Sequence, residues 1–253
     1  MTLTPEMART PNQAEIPAPP QADRKPWWRR PWVVPVWIIV ISFILYAVPN
    51  YLTFDPATAD IPYLRQDLPL HYVMLVGHVW FGTLTMLTMC IQIWPWVRQH
   101  HPAVHRWSGR VYVFAGVIPT GLLALAIVPF AAGPPGNAIG GLLWLAATIA
   151  GFRAARQRRF AAHRRWMIYS FALTLQIVWG RVLLLVLPLV PGYDAADPHT
   201  QDIVVEAISW LGFVINLLAA QFWLEWTARK EQRKAALLEV GAHHEESPAR
   251  AAV

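Results

Sequence analysis

Six long runs almost free of charge constrain this chain more than anything else in it. They cover roughly residues 32–52, 71–97, 108–130, 138–153, 166–190 and 203–226. A helix crossing the hydrocarbon core of a bilayer needs about 20 mostly apolar residues, within a range near 17–25. Five runs meet that length, and the fourth does so only if Gly136 and Asn137 belong to it. Helices of a soluble bundle pair an apolar stripe with a charged face, whereas residues 36–48 and 183–190 are apolar all round. The runs predict an all-α, polytopic membrane protein with six transmembrane helices, spans two to five forming a four-helix bundle core.

Charge decides the orientation. Arg24, Lys25, Arg29 and Arg30 precede the first run, and Arg98, Arg106 and Arg110 lie between the second and third. Arg153, Arg156, Arg158, Arg159, Arg164 and Arg165 separate the fourth from the fifth, and Arg229, Lys230, Arg233 and Lys234 follow the sixth. The alternate connections hold Asp55, Asp60, Asp67, Asp194, Asp197 and Asp202, with Arg65 their only base. Cytoplasmic loops concentrate Lys and Arg, so the alternation predicts a cytoplasmic (inner) membrane protein with both termini in the cytoplasm. Only 14% of the residues are charged, against about 25% in an average soluble domain. The net charge of +6 flanks apolar runs instead of covering one surface, so the partner it implies is the lipid bilayer and not nucleic acid.

The expected domains are a Pro-rich, disordered cytoplasmic tail over residues 1–31, a membrane domain over 32–227 and a charged cytoplasmic tail over 228–253. The first run is too long and starts too far into the chain for a signal peptide, and it reads as a retained anchor. Residues 225–240 continue the last helix and 241–253 form a flexible end. Trp94, Trp96, Trp107 and Trp166 fall near the cytoplasmic interface, where indole is enriched. The single cysteine, Cys90, allows no disulfide framework.

Polar residues inside the runs are where function is to be sought, because a charge at mid-bilayer costs at least ~2.5 kcal/mol on insertion scales. His71, His78, Thr85 and Gln92 recur at intervals of seven, which puts them on one helix stripe drifting only ~20° per heptad. That stripe should face the bundle interior. Gln176 and Arg181 lie in the fifth run, Glu206 and Asn216 in the sixth. At 1.5 Å per residue, His78 and Arg181 come to roughly 10 and 13 Å below the outer end of their helices. An intramembrane polar cluster of His78, Arg181 and Glu206, accompanied by Gln92 and Gln176, is therefore expected. It reads either as an ion pair fixing helix order or as a ligand or proton site.

A second constellation opens spans three and five. His105-Arg106-Trp107-Ser108-Gly109-Arg110-Val111-Tyr112 and His163-Arg164-Arg165-Trp166-Met167-Ile168-Tyr169 each give a histidine, an arginine, a tryptophan and then a tyrosine one to two turns on. An internal duplication of two helical hairpins is compatible with this, although the spacings differ. The two histidines start parallel helices at one membrane depth. That placement suits the two imidazoles of a haem iron, with the adjacent arginines on its propionates. Two other readings stand beside it: helix anchoring in anionic headgroups, and a metal site drawing on His100, His101, His105 and His163. Pro102 favours a helix start there and leaves His101 outside or at the cap.

The stretch from His78 through Gly82, Gln92, Arg98, Pro102 and the motif at 105–112, with the later motif at 163–169 and Arg181, resembles the bacterial membrane family DUF2306. The likeness covers about residues 70–190. The family implies no reaction, but its layout is similar to four-helix haem bundles of the cytochrome b561 and ferric-reductase type. What the resemblance implies is one bis-histidine haem b on His105 and His163, since span four offers no histidine to pair with His78.

Two functions follow. One is a b-type haem protein passing electrons between a membrane quinone and another redox partner, a possible membrane oxidoreductase component. In it His105 and His163 ligate iron, Arg106, Arg110 and Arg164 meet propionates, and His78 with Arg181 forms a quinone or proton site. The other is a cofactor-free membrane transporter or accessory subunit whose His/Arg/Glu cluster binds a ligand or fixes packing.

Overall fold

The computed structural model describes residues 33–58, 64–65, 67–130, 134–189, 193 and 197–250. The tail expected over residues 1–31 lies outside these. Every regular element among the described residues is helical. In chain order the α-helices are α1 (Val33–Ala47), α2 (Pro69–Ile93), α3 (Pro95–His100), α4 (Pro102–Arg110), α5 (Ile118–Ile127), α6 (Pro134–Arg156), α7 (Phe160–Thr174), α8 (Gln176–Val186) and α9 (Pro198–Arg250). Five continuous stretches are long and apolar enough to cross a membrane: Pro69–Ile93, Pro102–Phe130, Pro135–Arg156, Phe160–Leu183 and Thr200–Leu238. The sixth apolar element, α1, has 15 residues and rises only ~22 Å, short of the ~30 Å hydrocarbon core.

Proline sets most of the boundaries. Pro69, Pro95 and Pro102 each stand at the start of a helix, where a missing N–H costs nothing and the fixed φ fits. The residues before the last two, Trp94 and His101, leave the helical region with ψ of 109° and 63°. His101 thus caps α4 from outside, and the third span starts at Pro102, six residues earlier than the apolar run suggests. Its middle, Val111–Val117, is π-helical. Pro119 follows and lacks the N–H that the Ala115 carbonyl would take in an α-helix.

The fourth helix is longer than its apolar run, since Gly136 and Asn137 do belong to it and it ends at Arg156. Gly136 and Gly140 are four apart on one face. A Cβ on Gly136 would stand 2.8 Å from Ser209 Cβ, so this small-residue pair lets α6 approach α9 closely. The fifth run is broken: Leu175 separates α7 from α8, and Val178 N–H turns back to the Leu175 carbonyl at 3.1 Å. The last helix continues through Gly241 to Arg250; its stretch beyond the membrane is rich in Ala, Leu, Glu, Lys and Arg, all strong helix formers.

Packing follows chain order. α2 lies against α5 and the π segment, α5 against α6, and α6 most extensively against α7, while a lighter contact of α2 with α7 closes the ring. The third span and α7 are therefore at opposite corners of a four-membered bundle. α9 packs on α6, α7 and α8, so it belongs to the body and is not peripheral, whereas α1 touches chiefly α2. The core joins Met86, Met89 and Cys90 of α2 to Tyr112, Val113 and Val117 of the π segment, Trp144 and Ala147 of α6, and Met167 and Leu173 of α7. Outward-facing apolar side chains such as Leu189, Leu218 and Phe222 are 79%, 65% and 72% exposed, an arrangement that suits lipid and not water.

Candidate functional site

The seven-residue stripe of α2 faces the third span throughout. His78 Nδ1 lies 3.0 Å from the Thr120 carbonyl. Thr85 is fully buried, bonds back to the Phe81 carbonyl and fits against Gly116, where a Cβ would come within 2.7 Å of its hydroxyl. Gln92 Nε2 donates to the His105 carbonyl at 2.7 Å and to Ser108 Oγ at 2.6 Å. At the top of the stripe, His71 is buried, and its Nδ1 accepts the Arg65 backbone N–H at 3.2 Å.

His105 and His163 begin the two helices that stand across the bundle from each other. His163 Nδ1 donates to the Gly151 carbonyl of α6 at 2.9 Å, which fixes the ring plane and leaves Nε2 as the free lone pair. His105 Nδ1 is buried and has no hydrogen-bond partner among the described residues. His163, Arg98 and Arg106 are near enough to act on it electrostatically. Arg106, Arg110 and Arg164 are exposed at the same end of the bundle. Histidines that ligate iron commonly donate their second ring nitrogen to a backbone carbonyl. His163 meets that condition, and His105 carries a buried ring nitrogen still lacking a partner.

One heptad further in, the two faces meet. Tyr112 lies seven residues after His105 and Ser170 seven after His163, and their hydroxyls are 2.7 Å apart. Thr174 is 3.0 Å from the same Tyr112 hydroxyl and accepts Trp144 Nε1 at 3.0 Å, while Thr148 Oγ1 is 2.6 Å from Ser170 Oγ. This network of five side chains was not signalled by the sequence, because Ser and Thr in a membrane span commonly bond only to their own helix. Tyr169, the counterpart of Tyr112 in the second motif, follows its histidine by six residues instead of seven. One residue turns a helix by ~100°, and Tyr169 accordingly bonds Gln221 of α9.

The expected outer cluster is divided. His78 is engaged with the third span, Glu206 accepts the Trp210 indole N–H on its own helix, and Arg181 faces a separate cavity with Gln176. Among the described residues, Arg181 has no hydrogen bond or ion pair with either His78 or Glu206; the side-chain ion pairs there are Arg65–Asp67 and Arg229–Glu225. His100 and His101 pack around Trp96, with ring centroids 5.6 and 4.6 Å away. No group of three or more His, Cys, Asp or Glu side chains able to hold a metal ion occurs among the described residues.

A family model described as "Predicted membrane protein (DUF2306)" matches residues 75–224, more than half of the chain. Searches of curated proteins and of solved structures gave no match.

Proposed function

The chain belongs to the DUF2306 family of membrane proteins, and from its geometry we propose that it is a b-type haem electron-transfer protein in which His105 and His163 would hold the haem iron. The observation that carries this reading is the His163–Gly151 hydrogen bond, set across the bundle from the unpartnered His105 ring nitrogen. Bound haem would supply one-electron chemistry. The chain's own contributions are orientation and charge. The Gly151 carbonyl holds the His163 tautomer, Gln92 ties the His105 backbone to α2, and Arg106, Arg110 and Arg164 offer guanidinium donors to carboxylates. Tyr112 and its partners close the interior behind the pair. A membrane quinone is the exchange partner in this reading, and its site is not tied to the histidine pair.

In the same reading the chain crosses the cytoplasmic membrane six times, with both ends in the cytoplasm. Arginine on alternate connections supports this. Accessibility labelling of single cysteines placed at residues 58, 157 and 234 tests it, with 58 reacting from outside and the other two only from inside.

The haem assignment is tested by colour. Protein purified from haem-replete cells should show a Soret band and a protohaem pyridine haemochrome, and His105→Ala or His163→Ala should remove them while the protein still inserts. A colourless preparation, or haem retained in the double variant, refutes it. A second reading, a cofactor-free carrier or accessory subunit, is favoured by the unpaired Arg181 beside a cavity.

A further inference from the structure

We propose that the cavity between α6, α8 and α9 binds a small organic acid carrying a hydrogen-bond donor beside its carboxylate, as α-hydroxy and α-amino acids do. The site is separate from the histidine pair and does not depend on the haem reading; for the carrier reading it names the class of ligand. The cavity holds about 200 Å³, roughly the liquid volume of seven waters at ~30 Å³ each, a size for a small molecule and not for a peptide. Asn137 of α6, Gln176 and Arg181 of α8, and Ser209 and Gly212 of α9 are among its walls.

Two polar groups there are left unanswered. The half-buried Arg181 guanidinium has neither a hydrogen bond nor an ion pair among the described residues, and Gln176 Oε1 is buried without a donor. Guanidinium is always charged and matches a carboxylate through two parallel N–H···O bonds. A carboxylate alone would still leave Gln176 Oε1 unsatisfied, and a hydroxyl or ammonium on the neighbouring carbon supplies the missing donor. Glu206 of α9 accepts the Trp210 indole N–H.

The frame is built and does not depend on the ligand. Gln176 opens α8 after the break at Leu175, and its amide lies over Gly140, where a Cβ would approach Oε1 to 3.0 Å. Gly212 packs against the Gln176 backbone carbonyl, with a Cβ there 3.3 Å from it. Trp179 Nε1 donates to Asn216 Oδ1 at 2.9 Å and holds α8 to α9 below the site.

The test uses the full-length protein purified in detergent, with L-lactate and L-alanine as probes. Acetate, which lacks the donor, and 1,2-propanediol, which lacks the charge, are the controls. Lactate or alanine should raise the thermal unfolding temperature saturably and bind about tenfold or more tightly than either control. Arg181→Gln should abolish the response to acids. Gln176→Met should remove the preference for lactate over acetate, and it carries the test if the arginine variant does not fold. The double variant His105→Ala, His163→Ala should keep the response, which separates this site from the haem reading. No response to either acid, an unchanged response in Arg181→Gln, or a response confined to added anionic phospholipid overturns the proposal.

Discussion

The Tyr112 hydroxyl lies 2.7 Å from Ser170 Oγ, joining opposite corners of the bundle one heptad in from His105 and His163. Tyr112 is fully buried, as is Ser170. The contact spans helices that do not otherwise pack extensively, so a polar tie does here what apolar contact does between neighbouring spans.

Removing that tie should be measurable but not ruinous. Tyr112→Phe keeps the ring and loses bonds to Ser170 and Thr174, and we expect about 0.5–1.5 kcal/mol of lost stability in detergent unfolding titrations. Tyr112→Leu also removes ring volume from a packed site and should cost roughly 2–4 kcal/mol. An undiminished stability in Tyr112→Phe would mean that the hydroxyl does not matter.

Two glycines in the same core should respond differently to alanine. A Cβ on Gly116 meets Thr85 Oγ1 at 2.7 Å and Thr85 Cα at 3.3 Å, and Thr85 is pinned by its bond to the Phe81 carbonyl. Gly116→Ala should therefore destabilise by about 1–3 kcal/mol. At Gly151 the first obstacle is Met167 Sδ, also at 2.7 Å, the end of a flexible side chain that can swing aside. Gly151→Ala should cost clearly less, and adding Thr85→Ala should recover part of the loss at Gly116 only. Comparing thermal midpoints of the wild type, the two glycine variants and their Thr85→Ala doubles decides it.

Gln92 links the α2 stripe to the residues around His105. Gln92→Leu forfeits the bonds to the His105 carbonyl and Ser108 Oγ. The expected cost is about 1 kcal/mol per bond lost, together with faster amide exchange in α4 and no change in α6. Exchange that rises equally in both helices would contradict a local role.

Just before α2, Arg65 grips Asp67 through two bonds of 2.8 and 2.6 Å. The Arg65 guanidinium holds the Asp67 carboxyl down from 3.8 to about 2. A lowered folded-state value means that the pair's stabilisation is complete above the ordinary value and is lost as pH falls toward about 2. Both groups are well exposed, so screening makes the effect local. Carboxyl NMR should follow Asp67 titrating well below an ordinary aspartate, and Arg65→Gln should restore the ordinary value.

How much of this was legible in the sequence depends on what kind of information each feature needs. The α2 stripe was legible, because a seven-residue repeat fixes a shared helix face whatever the neighbours are. His78, Thr85 and Gln92 do all turn to the third span. That His105 and His163 each stand near the start of a helix was legible too. The expected meeting of His78, Arg181 and Glu206 was an inference from depth alone, and depth says nothing about azimuth. Rotation about the helix axis sends His78 toward α5, whereas Arg181 turns to the cavity it shares with α9.

By itself, then, the sequence determined that the chain is helical and holds several runs long and apolar enough to cross a membrane, although it marked the fourth run as short where the structure leaves α1 the short one. Those follow from local composition and from the fixed rise per residue. Only the tertiary structure decided which helices are neighbours and which stand opposite. It also placed the π segment before Pro119, broke the fifth run at Leu175, and left Arg181 and Gln176 facing a cavity. These depend on side-chain fit between segments far apart in the chain, such as Gly136 on Ser209 and Gly212 on Gln176, and no local pattern encodes such a fit.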